Sequence, residues 1–249
     1  MGTRRTRRFW LCWALALAVT AVWTISASPV QTSQPVGGAA HGSYVALTFD
    51  DGPWPGTTNA LLDGLAQRGV KATFFLVGEQ VADRAETVCR MADEGHQIGL
   101  HTWHHVSLKG MTPDQITSQL DQTRAAIREI VGPVDLMLRP PYGFVDDTLR
   151  QWAKAPIICW SLDTEDWKDP TPSRITADIL RQVKDGDIIL MHDIFETSVT
   201  AALAAVDQLL AQGYRLVTVE ELFAQRGQDP QPGAVYCSLP PAQKEEVEP

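Results

Sequence analysis

The chain has 249 residues, of which 44% are hydrophobic, 20% charged and 8% aromatic. This is a globular composition with length enough for one large α/β domain, and it excludes a disordered chain, a fibre, a coiled coil and a multipass membrane protein. The 21 basic and 30 acidic residues give a net charge of −9, and Arg4, Arg5, Arg7 and Arg8 crowd into the leader, so the remainder is more acidic still. Such a surface repels phosphate backbones, which argues against a nucleic-acid partner and leaves a neutral glycan unpenalised.

The basic start Met1–Arg8 precedes the apolar stretch Phe9–Ala27, which ends in small residues. That order reads as an export signal, and its length also suits an uncleaved anchor. Either way the folded part is expected outside the cytoplasmic membrane, touching it only through this segment. Residues 28–43, rich in Ser, Gln, Gly and Pro, read as a linker, and the catalytic domain is expected over 44–226. Residues 227–249, with six prolines and glycines in their first fifteen positions and an acidic end, read as a flexible tail. Beyond the leader stand Cys89, Cys159 and Cys237. Three is odd, so no complete disulfide framework is implied.

Inside the domain, apolar runs alternate with helical patterns. Strands are predicted at 44–49, 72–77, 97–100, 135–138, 157–162, 188–191 and 215–219. Helices are predicted at 58–68, 80–94, 113–131, 146–153, 172–184 and 197–212, several closed by a glycine just past the end, such as Gly69 and Gly213. This alternation implies a parallel sheet with right-handed crossovers. The seven strands form either a (β/α) barrel, complete or incomplete, or an open doubly wound sheet, and the barrel is preferred because Asp50, Asp51, His101, Arg139, Asp163 and His192 each directly follow an apolar strand. In a barrel those strand ends share one rim, where polar residues read as catalytic.

Five segments carry the chemistry. Asp50-Asp51-Gly52-Pro53 sets two carboxylates at a strand end; as neighbours they point different ways, so one can bind a metal while the other stays free as a base. The plainer alternative is a turn with a capping acid. His101 and His105 are four apart, which on one helical turn places both imidazoles on the same side, the spacing that suits one metal. There is no Glu at 102, so the metalloprotease motif is absent. Two His and one carboxylate leave coordination positions open, as a catalytic site requires. In Arg139-Pro140-Pro141-Tyr142-Gly143 the paired prolines stiffen the loop and fix the direction of Arg139. Asp163-Thr164-Glu165-Asp166-Trp167 joins acids to an indole, and Leu190-Met191-His192 ends an apolar strand in a histidine. Each has a structural reading when taken alone; together they converge on one rim.

These five segments, in this order, resemble the motifs of the polysaccharide deacetylases of carbohydrate esterase family 4, which share the nodulation-protein B homology domain. The resemblance implies a distorted (β/α) barrel with about seven parallel strands and a metal-dependent hydrolase that removes N- or O-acetyl groups from a sugar polymer, with N-acetylated glycans such as peptidoglycan or a chitin-like chain the expected substrate. It implies that Asp51, His101 and His105 bind a divalent metal, zinc first and cobalt as an alternative, with Asp50 the general base and His192 the general acid. Arg139 would orient Asp50, Asp163 would pair with His192, and the Tyr142 amide would donate to the oxyanion. Trp167, Leu190 and Pro141 would shape the substrate pocket. Leu100 and Glu165 depart slightly from the family pattern without removing a ligand. An O-acetyl esterase acting on xylan and an inactive glycan-binding module are the alternatives. Against the latter, no ligand position has been lost.

Overall fold

The computed structural model describes residues 42–242. The leader, the linker up to residue 41 and the tail beyond 242 lie outside the described residues. Among the described residues no helix is long and apolar enough to cross a membrane.

The central strand β1 (Tyr44–Asp50) is buried from Val45 to its end. A strand covered on both faces is the signature of a parallel sheet packed under helices. Val45, Leu47 and Phe49 face the helical layer, while Ala46 joins Phe75, Ile158 and Ile188 on the other side. The remaining strands are β2 (Thr73–Leu76), β3 (Gln97–Leu100), β4 (Ile157–Ile158), β5 (Leu162–Asp163), β6 (Ile188–His192), β7 (Arg215–Leu216) and β8 (Val235–Tyr236). They form a six-stranded sheet of order β3-β2-β1-β6-β5, with β7 also paired to β1, and a two-stranded sheet of β4 and β8. All these pairings are parallel.

The sheet is therefore of the expected parallel α/β kind, but among the described residues no continuous ladder closes it into a barrel. Single bridges carry the path from Leu100 to Leu138 and from Leu138 to Ile157. The expected strand 135–138 shrinks to that one bridging residue, and the expected strand 157–162 splits into β4 and β5. The split has a physical cause: the Ile158 and Cys159 carbonyls accept hydrogen bonds from the Arg139 guanidinium at 3.2 and 3.0 Å instead of from a neighbouring strand. The stretch expected as a flexible tail supplies β8, and Leu239 beyond it is buried with Phe223 and Ile188 on the inner face of the sheet.

The helices are α1 (Pro55–Arg68), α2 (Gly78–Ala82), α3 (Ala85–Asp93), α4 (Pro113–Val131), α5 (Asp147–Trp152), α6 (Pro172–Gln182), α7 (Glu196–Ala211) and α8 (Val219–Arg226). Local chemistry sets their ends. Pro occupies the first turn of α1, α4 and α6, where its missing N–H costs nothing. Thr112 with Gln115 and Thr218 with Glu221 form reciprocal capping boxes on α4 and α8. The single helix expected over 80–94 is two, because Arg84 leaves the helical region at φ −133° and ψ 36°. Its guanidinium sits 4.8 Å from the Trp54 ring centroid.

Gly99 in β3 is a point of close approach. A Cβ there would lie 2.5 Å from the Phe75 ring and 3.0 Å from the Met137 carbonyl oxygen. Gly99→Ala is expected to destabilise the domain by about 1–3 kcal/mol through overpacking, read as a lower thermal midpoint. An unchanged midpoint would mean that Phe75 moves aside freely.

Candidate active site

Parallel strands deliver their C-terminal ends to one rim. Asp50 ends β1, His101 follows β3, Asp163 ends β5 and His192 ends β6, in register opposite Asp50. Arg139 follows the bridging residue Leu138, with its N–H bonded to the Leu100 carbonyl at 2.9 Å.

Arg139 has no exposed surface. Its Nη1 donates to Asp50 Oδ1 at 2.8 Å and to Thr48 Oγ1 at 2.6 Å. Asp50, itself 3% exposed, is thus held by a buried ion pair. The other Asp50 oxygen lies 3.7 Å from His101 Nε2.

Asp51 stands in the left-handed region at φ 74°, which turns its carboxylate away from that of Asp50. Its Oδ1 lies 3.3 Å from His101 Nε2 and 3.1 Å from His105 Nε2. The closeness of the two imidazoles, with ring centroids 5.0 Å apart, does not come from a helical turn. Residues 101–105 form a loop, with Thr102 at φ 64° and His105 at φ 52°. His101 Nδ1 donates to the Arg139 carbonyl at 2.7 Å, so in the neutral ring Nε2 carries the lone pair and faces Asp51. His104, the spare histidine, lies away from the cluster against Gln119.

Asp51, His101 and His105 offer three ligand atoms within 4.8 Å of one another. Asp51 Oδ1 is buried with no hydrogen-bond partner. Burial would raise the Asp51 carboxyl, but His101 and His105 hold it down at about 2. Burial lowers His105, which keeps that ring's lone pair free at neutral pH. A deprotonated carboxylate oxygen meeting two imidazole nitrogens is a donor set that fits a divalent cation.

His192 is held by Asp166, not by Asp163. Asp166 is 1% exposed; its Oδ1 accepts from His192 Nδ1–H and its Oδ2 from the His192 backbone N–H, both at 2.8 Å. Burial would lower His192, but the Asp166 carboxylate raises it to about 9. Asp163 is exposed and accepts the Glu165 N–H at 2.9 Å, closing a tight turn through Glu165 at φ 48°. That turn swings Asp166 inward. The expected partner was therefore displaced by three positions along the same segment.

Tyr142 adopts φ 63° in the 3₁₀ turn Pro141–Gly143, with its ring 5.1 Å from that of His105. Pro141 is buried beside it, and Leu190 is 4% exposed two residues before His192 on the same face of β6. Trp167 is 57% exposed immediately after Asp166.

The family model described as polysaccharide deacetylase matches residues 37–156. A peptidoglycan-N-acetylmuramic acid deacetylase of Bacillus subtilis, PdaC, is 42% identical over 178 residues, covering 72% of this chain and 38% of that protein. A peptidoglycan-N-acetylglucosamine deacetylase of Bacillus cereus is 38% identical over 186 residues, covering 72% of this chain and 68% of the relative. The chain belongs to the polysaccharide deacetylases of carbohydrate esterase family 4. Among solved structures, a family 4 acetyl xylan esterase from Clostridium thermocellum in complex with a cobalt ion superposes with a TM-score of 0.76 at 35% identity, covering 79% of this chain and 99% of that one. The chain spans 38–39% of the length of several of the longer curated deacetylases it matches.

Three further residues support this deacetylase-family site and were not singled out from the sequence. Thr58 Oγ1 accepts the Trp54 N–H at 2.8 Å and donates to Asp193 Oδ2, tying the loop after Asp51 to the residue after His192. Asp193 is fully buried, and burial raises it to about 7. A Cβ on Gly52 would lie 2.6 Å from the Asp193 carboxylate, so this position tolerates no side chain. The adjacency of Gly52 to the acid pair and of Asp193 to His192 was the available signal.

The His192–Asp166 pair has a measurable signature. Asp166→Asn is expected to lower the His192 pKa by about two units in an NMR titration, whereas Asp163→Asn leaves it in place. The raised His192 contributes stability that is fully present below 6.5 and lost as pH rises through about 9. The lowered Asp166 contributes stability present above 3.8 and lost in acid. The advantage of the native protein over Asp166→Asn is therefore expected to peak between these two ordinary values and to narrow toward pH 9. An Asp163→Asn variant with the larger His192 shift would reverse the assignment.

Proposed function

We propose that this chain is a metal-dependent N-deacetylase acting outside the cytoplasmic membrane on N-acetylglucosamine-type units of peptidoglycan or a chitin-like polymer, with acetate and a free amine as products. The observation that carries the reading is the complete set on one rim: a buried Asp50–Arg139 pair, the Asp51, His101 and His105 donors, and a charged His192 opposite Asp50 in register. The names of relatives that act on peptidoglycan support this glycan class over others.

Asp51, His101 and His105 would hold the divalent cation, for which zinc and cobalt are the candidates. When bound, such an ion supplies Lewis-acid polarisation of a carbonyl and makes water more acidic. Asp50, with one oxygen engaged by Arg139 and the other directed toward His101, takes a proton from the attacking water as general base. His192, raised to about 9, carries its proton at neutral pH and delivers it to the nitrogen of the leaving amine. Asp166 orients that ring and compensates its charge. The Tyr142 amide donates to the oxyanion, a contribution whose loss typically costs roughly 10²–10³ in rate. Trp167, Leu190 and Pro141 line the pocket that takes the acetyl group and sugar.

An O-acetyl esterase is the second reading, favoured by the likeness to the acetyl xylan esterase structure. Acetate release from N-acetylglucosamine oligomers, peptidoglycan and acetylxylan, with and without added zinc or cobalt, separates the two. The expected result is metal-dependent release from the N-acetylated glycans; release from acetylxylan alone would select the esterase, and release from none with metal bound would leave a glycan-binding module.

Asp50→Asn is expected to retain stoichiometric metal and lose about 10²–10⁴ in turnover. His101→Ala is expected to lose metal and turnover together. A fully active Asp50→Asn would remove Asp50 from the role of base.

A further inference from the structure

The odd cysteine count gains a pattern in the fold. Cys89 lies exposed on α3, with its thiol 3.6 Å from Asp93. Cys159 and Cys237 leave β4 and β8 side by side. The ladder pairs Ile157 with Val235 and Ile158 with Tyr236. The Cys159 N–H then donates to the Tyr236 carbonyl at 2.8 Å, continuing the same register so that Cys159 stands opposite Cys237. Opposed residues of a parallel pair project to the same face, about 4.8 Å apart across the strands. That spacing lies inside the roughly 4.4–6.8 Å between Cα atoms that a disulfide spans.

We propose that Cys159 and Cys237 are a disulfide site, closed by an oxidant that itself carries a disulfide, and that the bond staples β8 onto β4. The exposed Cys237 thiolate attacks the oxidant and releases one thiol, leaving a mixed disulfide. Cys159 then displaces the second thiol from Cys237. Two protein thiols lose two protons and two electrons, and one external disulfide is reduced to two thiols. Burial, followed by the neighbouring Cys237, raises the Cys159 thiol to about 11, which makes the second step the slow one and favours alkaline conditions.

The staple acts at a useful place. β8 is a two-residue strand at the end of a long return from α8, and its partner strand leads into the Cys159 carbonyl that receives Arg139 Nη2 at 3.0 Å. A cross-link from 159 to 237 encloses the chain between them, and long enclosed loops gain the most from closure.

The test uses the full chain in glutathione redox buffer at alkaline pH, followed by alkylation, peptide mass mapping and thermal unfolding. Oxidation is expected to yield a peptide linked through Cys159 and Cys237, to spare Cys89, and to raise the melting midpoint by about 5–15 °C over the reduced protein. Cys237→Ser is expected to show the same midpoint in both conditions. Alkylation of both thiols after oxidation, a link through Cys89, or a Cys159–Cys237 link that leaves the midpoint unmoved would each overturn the staple.

Discussion

The site and the sheet around it depend on one buried guanidinium. An arginine without exposed surface is tolerated only where its donors find acceptors, and Arg139 finds Asp50, Thr48 and the carbonyls of Ile158 and Cys159. Its planar fork joins the end of β1 to the seam between β4 and β5, where two carbonyls lack a strand partner. Its own carbonyl receives His101 Nδ1–H, which fixes the face that His101 shows to Asp51. Removing the side chain would leave the Asp50 carboxylate buried without its counter-ion and open the sheet at the same place. The geometry of the site and the integrity of the fold here share a residue.

Around that anchor the titrating groups are driven apart. Asp51 is held at about 2 and His192 at about 9, although both are largely buried and burial alone would push each the opposite way. Specific partners decide the outcome: imidazoles for the carboxylate, a carboxylate for the imidazole. The cleft thus sets an anionic donor oxygen beside a protonated imidazole.

Much of this was legible in the sequence because parallel strands convert order along the chain into position on a rim. An apolar run ending in Asp50, His101 or His192 declares both the strand and the side of the sheet on which its polar end emerges. Turns are read less well. The nearness of His101 and His105 followed from their spacing, but a loop with left-handed residues produces it, not a helix. The family resemblance assigned Asp163 as the partner of His192, whereas the turn closed by Asp163 itself carries Asp166 beneath the imidazole. β8 escaped notice because Val235–Tyr236 is a two-residue strand among prolines and glycines, and its worth lies in pairing with a strand distant in sequence.

The position of β1 has a kinetic consequence. The first strand of the domain is the middle of the sheet, and the Thr48 hydroxyl bonds to the Ile189 carbonyl 141 residues later. Until β6 is available, β1 can pair only on the side of β2, and its other edge stays bare. The inner layer waits longer, since it is completed by Phe223 and Leu239. A topology so rich in distant contacts folds slowly. A domain that cannot close its core before Leu239 is free is one that stays threadable until that segment has been made.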